Sequence, residues 1–377
     1  MDKVLYKKVC LGIVLLLLSG EFTAQTLKYV DAQKLLMVGK AQPNTEYYHR
    51  IDTALYKDLS PKVKYLSTLS CGLAIGFKTN SPIIAANWEV KPDKPSQNLS
   101  DIAHSGLDLY IKRNGKWEFA GVGKPTPQNT RSEYVIVQEM DNTEKECLLY
   151  LPLFSEIKSL RIGIKESANI SAIDYPFKKK ILIYGSSIVH GAEASRAGTT
   201  YVAKLSRRTG INFINLGFSG NARMENSMAD CLADIEADAY ILDCVPNATA
   251  KQIAERTGYL VRTIRAKHAK APIIVMQSIA MDIGNFNLKI KNDLRIKDKT
   301  IQQQIEQLQH DGIKKLYFIR GEDLIGHDHE GTGDGIHPND LGFQRMVNFL
   351  EPVLMNILQE KWPALQGRGW CRCPPLR

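Results

Sequence analysis

Lys180-Ile181-Leu182-Ile183-Tyr184-Gly185-Ser186-Ser187-Ile188-Val189-His190-Gly191 decides how this chain folds. The apolar run is too short for a helix and stops at a glycine, so residues 181–184 read as a strand buried on both faces. Gly185 permits a sharp turn, and the serine pair after it opens a helix. The same alternation recurs downstream. Residues 211–216, 239–245, 272–277 and 315–319 read as strands, and residues 199–208, 228–235, 252–266, 300–309 and 341–358 as helices. Such alternation implies an α/β unit with a doubly wound, mostly parallel sheet, and in such sheets the ligand site lies at the carboxyl ends of the strands.

Ahead of Lys178 the period changes. Residues 63–66, 73–77, 83–90, 107–111, 117–122, 134–137, 147–151 and 160–164 are short alternating or apolar runs separated by turn residues. Among the turns is Asn114-Gly115, a strong hairpin signal because both residue types tolerate positive φ. The pattern predicts a jelly-roll-like β-sandwich over residues 25–178, followed by the α/β unit over residues 179–360. Trp88, Tyr110 and Trp117 fall at strand spacing and read as core, with a sugar-stacking platform as the alternative.

The 377 residues are 44% hydrophobic and 24% charged, with 27 Gly and 16 Pro, which excludes a disordered, collagen-like or polytopic membrane chain. The formal charge of +9 says little, since part of it lies in the first 24 residues and part in Arg368, Arg372 and Arg377. The longest basic run is Lys178-Lys179-Lys180, without interleaved aromatics, so nucleic acid is not an expected partner. Residues 1–24 carry Lys3, Lys7 and Lys8 before a short apolar run and small residues up to Ala24. They read as a signal peptide, so the protein is expected to be exported, periplasmic or secreted, with no stable membrane insertion after cleavage. Cys10 leaves with that peptide, and Cys71, Cys147 and Cys244 lie in apolar runs as small buried hydrophobes, which implies no disulfide framework. Residues 361–377, with Cys371-Arg372-Cys373, differ in composition from the rest and read as a non-native tail.

The strand ends carry the chemistry. The first ends in the pair Ser186-Ser187, where a serine can serve as a nucleophile, and the second runs Asn215-Leu216-Gly217-Phe218-Ser219-Gly220-Asn221, where glycine lets a backbone N–H approach a ligand. The third, Asp243-Cys244-Val245-Pro246-Asn247, supplies an amide donor. Before the last helix stands Asp334-Gly335-Ile336-His337-Pro338, whose Asp can accept the His Nδ1–H and leave Nε2 to take the serine proton. Each piece is common alone. Together they supply every part of an acyl-transfer site.

On these residues the chain resembles SGNH/GDSL-type hydrolases, whose four blocks contribute Ser, Gly, Asn and His in this order on a flavodoxin-like sheet. The resemblance covers roughly residues 179–360, and Gly106-Leu107-Asp108-Leu109-Tyr110 resembles the G-x-D-L-Y signature of a β-sandwich that precedes one SGNH subgroup. It implies Ser187 as nucleophile, His337 as base, Asp334 as its partner, and an oxyanion hole from Ser187, Gly220 and Asn247. Two positions depart from the pattern: Ser186 stands where many relatives have Asp, and Val245-Pro246-Asn247-Ala248 replaces the common G-x-N-D. The resemblance implies no cofactor, and a short acyl ester, acetyl on a carbohydrate foremost, hydrolysed through an acyl-enzyme. An acyltransferase, lipase or thioesterase would use the same site, and a carbohydrate-binding module with an inactive hydrolase half is a further alternative. His190 and Arg223, just past the first two blocks, are candidate pocket residues. A zinc site from His327, Asp328, His329, Asp334 and His337 is the chemical rival, but it leaves Ser187, Gly220 and Asn247 without a role, so no metal is expected.

Overall fold

The computed structural model describes residues 26–94 and 98–359, so the readings of residues 1–24 and 361–377 lie outside the described residues. Strands β1 (Leu27–Asp31), β2 (Leu36–Val38), β3 (Ala74–Thr79), β4 (Ile84–Val90), β5 (Leu107–Arg113), β6 (Lys116–Gly123), β7 (Arg131–Val137), β8 (Lys145–Tyr150), β9 (Ile157–Lys165) and β10 (Ile170–Ala172) form two antiparallel sheets. One is ordered β1-β9-β4-β7, the other β10-β3-β8-β5-β6 with β2 also paired to β3. Ile75 and Phe77, Ile84 and Trp88, Leu107 and Leu109, and Ile162 and Ile164 point inward from alternate positions and close a core between the sheets. Trp88 gives its ring N–H to Ser105 O at 2.9 Å inside that core, and Tyr110 is buried as well, so neither serves a sugar platform. Asn114 and Gly115 sit at φ 51° and 75°, the positive values that the β5–β6 hairpin demands.

Residues 63–66 are a correction. They belong to helix α1 (Pro61–Thr68), capped by Ser60, whose Oγ accepts the Val63 N–H at 3.3 Å, and started by Pro61. Cap and N-terminal proline outweigh a four-residue alternation. A short helix α2 (Asp101–Ser105) leads into β5.

Strands β11 (Lys180–Gly185), β12 (Asn212–Gly217), β13 (Ala239–Asp243), β14 (Ile273–Met276) and β15 (Leu316–Ile319) are parallel and ordered β12-β11-β13-β14-β15, the flavodoxin-like arrangement. A parallel sheet needs cover on both faces, and α3 (Ser187–His190), α4 (Tyr201–Thr209), α5 (Asn226–Ala233), α6 (Ala250–Lys267), α7 (Leu288–His310) and α8 (Asp340–Leu358) follow the strands. On one face Ile181 and Ile183 share a core with Leu205, Phe343 and Met346; on the other Leu182 and Tyr184 share one with Leu232, Val261 and Ile305. Helix α7 begins at Leu288 rather than near residue 300, because its buried side chains, Ile301, Ile305 and Leu308, mark only its second half. Tyr110, Leu148 and Tyr150 from the sandwich join the core of Val202 and Leu205, so the two layers are packed together.

Candidate active site

Strand β11 ends at Gly185, where a Cβ would collide with Asp243 O on β13 and with the Val189 side chain. Only glycine allows that turn. Ser186 N–H then binds Asp243 O at 3.1 Å, and Ser186 Oγ caps α3 by accepting the Ile188 N–H at 3.2 Å. The residue that departs from the common Asp thus still performs a cap's work. Ser187 opens the helix with its residue 8% exposed, and at this first helical position its N–H has no partner within the helix. Its Oγ lies 2.8 Å from His337 Nε2, and His337 Nδ1 lies 2.7 Å from Asp334 Oδ2. Asp334 Oδ1 accepts the N–H groups of Ile336 at 2.9 Å and His337 at 2.8 Å, which locks the turn. Burial alone would raise the Asp334 carboxyl; the His337 N–H, the His337 ring and the Ile336 N–H outweigh burial and hold it below the ordinary value.

The other strand ends bring donors to the same edge. Phe218 to Asn221 form a turn closed by Asn221 N–H to Phe218 O at 2.8 Å, with Gly220 at φ 70°. The closing bond does not use the Gly220 N–H. After β13 a 3-10 turn, Val245–Asn247, presents Asn247, whose Oδ1 accepts the Ala222 N–H at 3.2 Å. That bond identifies the oxygen of the amide, ties the third strand end to the second without the Gly and Asp of the common pattern, and leaves Nδ2 as a donor. Arg223 is exposed beside this turn, with Nε 3.2 Å from Gly220 O.

His190 is placed elsewhere than expected. It is fully buried, its ring stacked on Phe154 at 4.1 Å with Nε2 2.7 Å from Leu153 O. Burial, helped by the Arg50 charge, holds it well below the ordinary imidazole value. It packs α3 against the sandwich. The residues of the zinc alternative likewise diverge: His327 pairs with Asp323 at 2.9 Å, His329 with Asp282 at 3.2 Å, and Asp328 with Arg345 at 2.6 Å. Among the described residues no three His, Cys, Asp or Glu side chains are placed to hold a metal ion.

The G-x-D-L-Y residues act on the segment after Ser187 and α3. A Cβ on Gly106 would strike Ile102 O and Gly123 O, and Leu107 and Leu109 are core. Asp108 accepts Arg196 NH1 at 2.9 and 2.8 Å and Gly198 N–H at 2.7 Å; Tyr110 accepts from Arg196 at 2.7 Å and lies under the Arg207 guanidinium. Glu193, which no sequence signal picks out, packs against Gly333, and burial together with the Asp334 charge raises its carboxyl. It sets a second carboxylate near the His337–Asp334 pair.

Asp243 is buried with one carboxylate oxygen 2.9 Å from the Tyr201 hydroxyl, and burial pushes its carboxyl up to about 7 against that hydroxyl's pull. The native state therefore keeps a proton that the unfolded chain releases at the ordinary carboxylate value of about 4. Stability attributable to this group falls as pH rises through that window and levels off above it. Asp243→Asn is expected to flatten the denaturation midpoint between those pH values relative to the parent; parallel curves for both proteins would contradict the assignment.

Sheet order and strand-end chemistry together put the chain in the class of SGNH-type hydrolases. Residues 178–355 match the GDSL-like lipase/acylhydrolase family, and residues 27–170 match the G-x-D-L-Y domain found at the N-terminus of SGNH hydrolase-type esterases. A GDSL-like lipase from Bacteroides ovatus, known from a crystal structure, is 52% identical with a TM-score of 0.87 over 89% of this chain and 98% of that one. A salicylyl-acyltransferase from a tetracycline biosynthetic pathway, 19% identical, shares the fold with a TM-score of 0.72 over 88% of this chain and 98% of its own. So does a family two carbohydrate esterase from Cellvibrio japonicus, 12% identical, with a TM-score of 0.59 over 89% and 98%. No curated protein matches. The chain belongs to the GDSL-like lipase/acylhydrolase family and is a carboxylic ester hydrolase.

Proposed function

We propose that the protein is an exported serine esterase that removes short acyl groups, acetyl foremost, from a carbohydrate. The observation that carries this reading is the unbroken relay from Ser187 Oγ to His337 Nε2 and from His337 Nδ1 to Asp334 Oδ2, at 2.8 and 2.7 Å, with donor groups at the neighbouring strand ends. His337 takes the Ser187 proton as Oγ bonds to the ester carbonyl carbon, and the carbonyl electron pair moves onto oxygen. The N–H groups of Ser187 and Gly220 and the Asn247 amide hold that oxyanion. Collapse expels the alcohol, which receives the proton from His337, and water repeats the cycle to free the acid. Asp334 keeps the imidazole tautomer and balances the imidazolium.

A carbohydrate substrate is supported by the fold shared with family two carbohydrate esterases, one of which, from Clostridium thermocellum, was solved with cellohexaose. Beyond residue 24 the sequence offers no long apolar stretch for an interfacial lid. Acetate release from acetylated xylan, pectin and simple sugars, set against longer acyl esters, tests the reading. The expected result is a preference for acetyl on sugar; a preference for long chains would overturn it. The likeness to the salicylyl-acyltransferase favours a second reading, transfer to an alcohol other than water. Adding an acceptor sugar to the assay separates the two, since hydrolysis yields free acetate throughout and transfer yields the new ester in excess.

A further inference from the structure

Arg50 belongs to no motif and lies in the segment between β2 and α1, yet it is 1% exposed. Its NH1 donates to Asn215 O at 3.1 Å and Gly217 O at 2.9 Å, at the end of β12, and its NH2 donates to Leu66 O in α1 at 2.6 Å. The guanidinium carbon stands 5.0 Å from the centroid of the Phe218 ring. Among the described residues no carboxylate pairs with it; carbonyl dipoles, a ring face and the neighbouring Cys71 thiol face the charge. A buried cation without a counter-ion is costly, and truncating it would take the guanidinium from the Asn215 and Gly217 carbonyls, while Leu66 O keeps the Leu69 N–H.

What this cation grips is the root of the oxyanion turn. Gly217 and Phe218 lead directly into Ser219-Gly220. From the other side, Phe218 N–H binds Gly185 O at 2.8 Å, Asn215 Nδ2 binds Val189 O at 2.6 Å, and Asn215 Oδ1 accepts Gly217 N–H at 2.9 Å. The strand end is therefore held between the nucleophile's own turn and Arg50. Cys71, whose thiol burial pushes up to about 12, adds a bond from Sγ to His190 O at 2.9 Å in the same buried region.

We propose that Arg50 is a positioning residue for the reaction. It sets the Gly220 turn relative to Ser187 and keeps a permanent positive charge close to where the oxyanion forms, so the segment ahead of the α/β unit builds part of the reaction centre. The proposal rests on the Ser187 mechanism above.

Arg50→Lys, which keeps the charge but loses the fork, and Arg50→Met, which loses both, test it in the full chain. The readouts are kcat and KM for 4-nitrophenyl acetate, the rate of inactivation by a 4-nitrophenyl phosphonate whose tetrahedral adduct uses the same donors, and the thermal midpoint. At a temperature where circular dichroism shows each variant folded, kcat is expected to fall about 10-fold for Lys and further for Met, since small misplacements of reacting groups have effects of this size. KM is expected to stay within about two-fold, and phosphonylation to slow in step with kcat. Folded variants with parental kcat and phosphonylation but a lower thermal midpoint would overturn the proposal, leaving Arg50 as a purely structural residue. If the Met variant does not fold, the Lys variant alone decides. An active Ser187→Ala would fail the mechanism itself; a dead Ser187→Ala with fully active Arg50 variants would fail only this inference.

Discussion

Ser187→Ala is expected to reduce turnover of 4-nitrophenyl acetate by about 10⁴-fold or more, the loss typical of removing a nucleophile that acts as one unit with its base. The fold should be untouched. The turn before the residue depends on Gly185, the cap of α3 comes from Ser186 Oγ, and the backbone of residue 187 accepts Gly191 and Ala192 N–H whatever its side chain. What disappears is one hydroxyl and its 2.8 Å contact with His337. Circular dichroism and the thermal midpoint should match the parent. Retention of more than a few per cent of activity would sink the assignment, because among the described residues no other hydroxyl is hydrogen-bonded to His337 Nε2.

Asp334→Asn is the second large effect, about 10⁴-fold on kcat by analogy with the triad in general. The two oxygens of Asp334 have separate tasks. Oδ1 receives the Ile336 and His337 N–H groups, and an asparagine oxygen can take both, so the turn survives. Oδ2 receives His337 Nδ1–H, and there asparagine presents an NH₂ that only donates. Nδ1 must then become the acceptor, which moves the ring proton to Nε2 and blocks transfer from Ser187. The expected signature is lost kcat at unchanged stability; activity within about 10-fold of the parent would mean that Asp334 does no more than hold the loop.

Much of the fold could be read because its signals are local. The α/β strands are apolar on both faces, and their ends converge by topology, which pointed to four loops; the resemblance to SGNH/GDSL-type hydrolases then picked Ser187, Gly220, Asn247, Asp334 and His337 within them. Elements whose signal is tertiary escaped. β1, β2 and β10 are short edge or near-edge strands with half-buried residues, and the first half of α7 is charged and exposed on most sides. His190 sits on a helix of a single turn, where sequence periodicity cannot say which side meets the sandwich. Arg50 is a lone base in a polar segment, which reads as solvated surface until the carbonyls of β12 are brought around it. The G-x-D-L-Y residues were visible as a pattern, but their purpose, fastening Arg196 and Gly198 behind Ser187, is visible only in three dimensions.

The central claim is that Ser187 is the nucleophile. A fluorophosphonate should add once to the parent protein, with peptide mass spectrometry placing the adduct on Ser187, and should leave Ser187→Ala unmodified; an adduct on any other residue, or none on a folded parent that hydrolyses esters, would contradict the account.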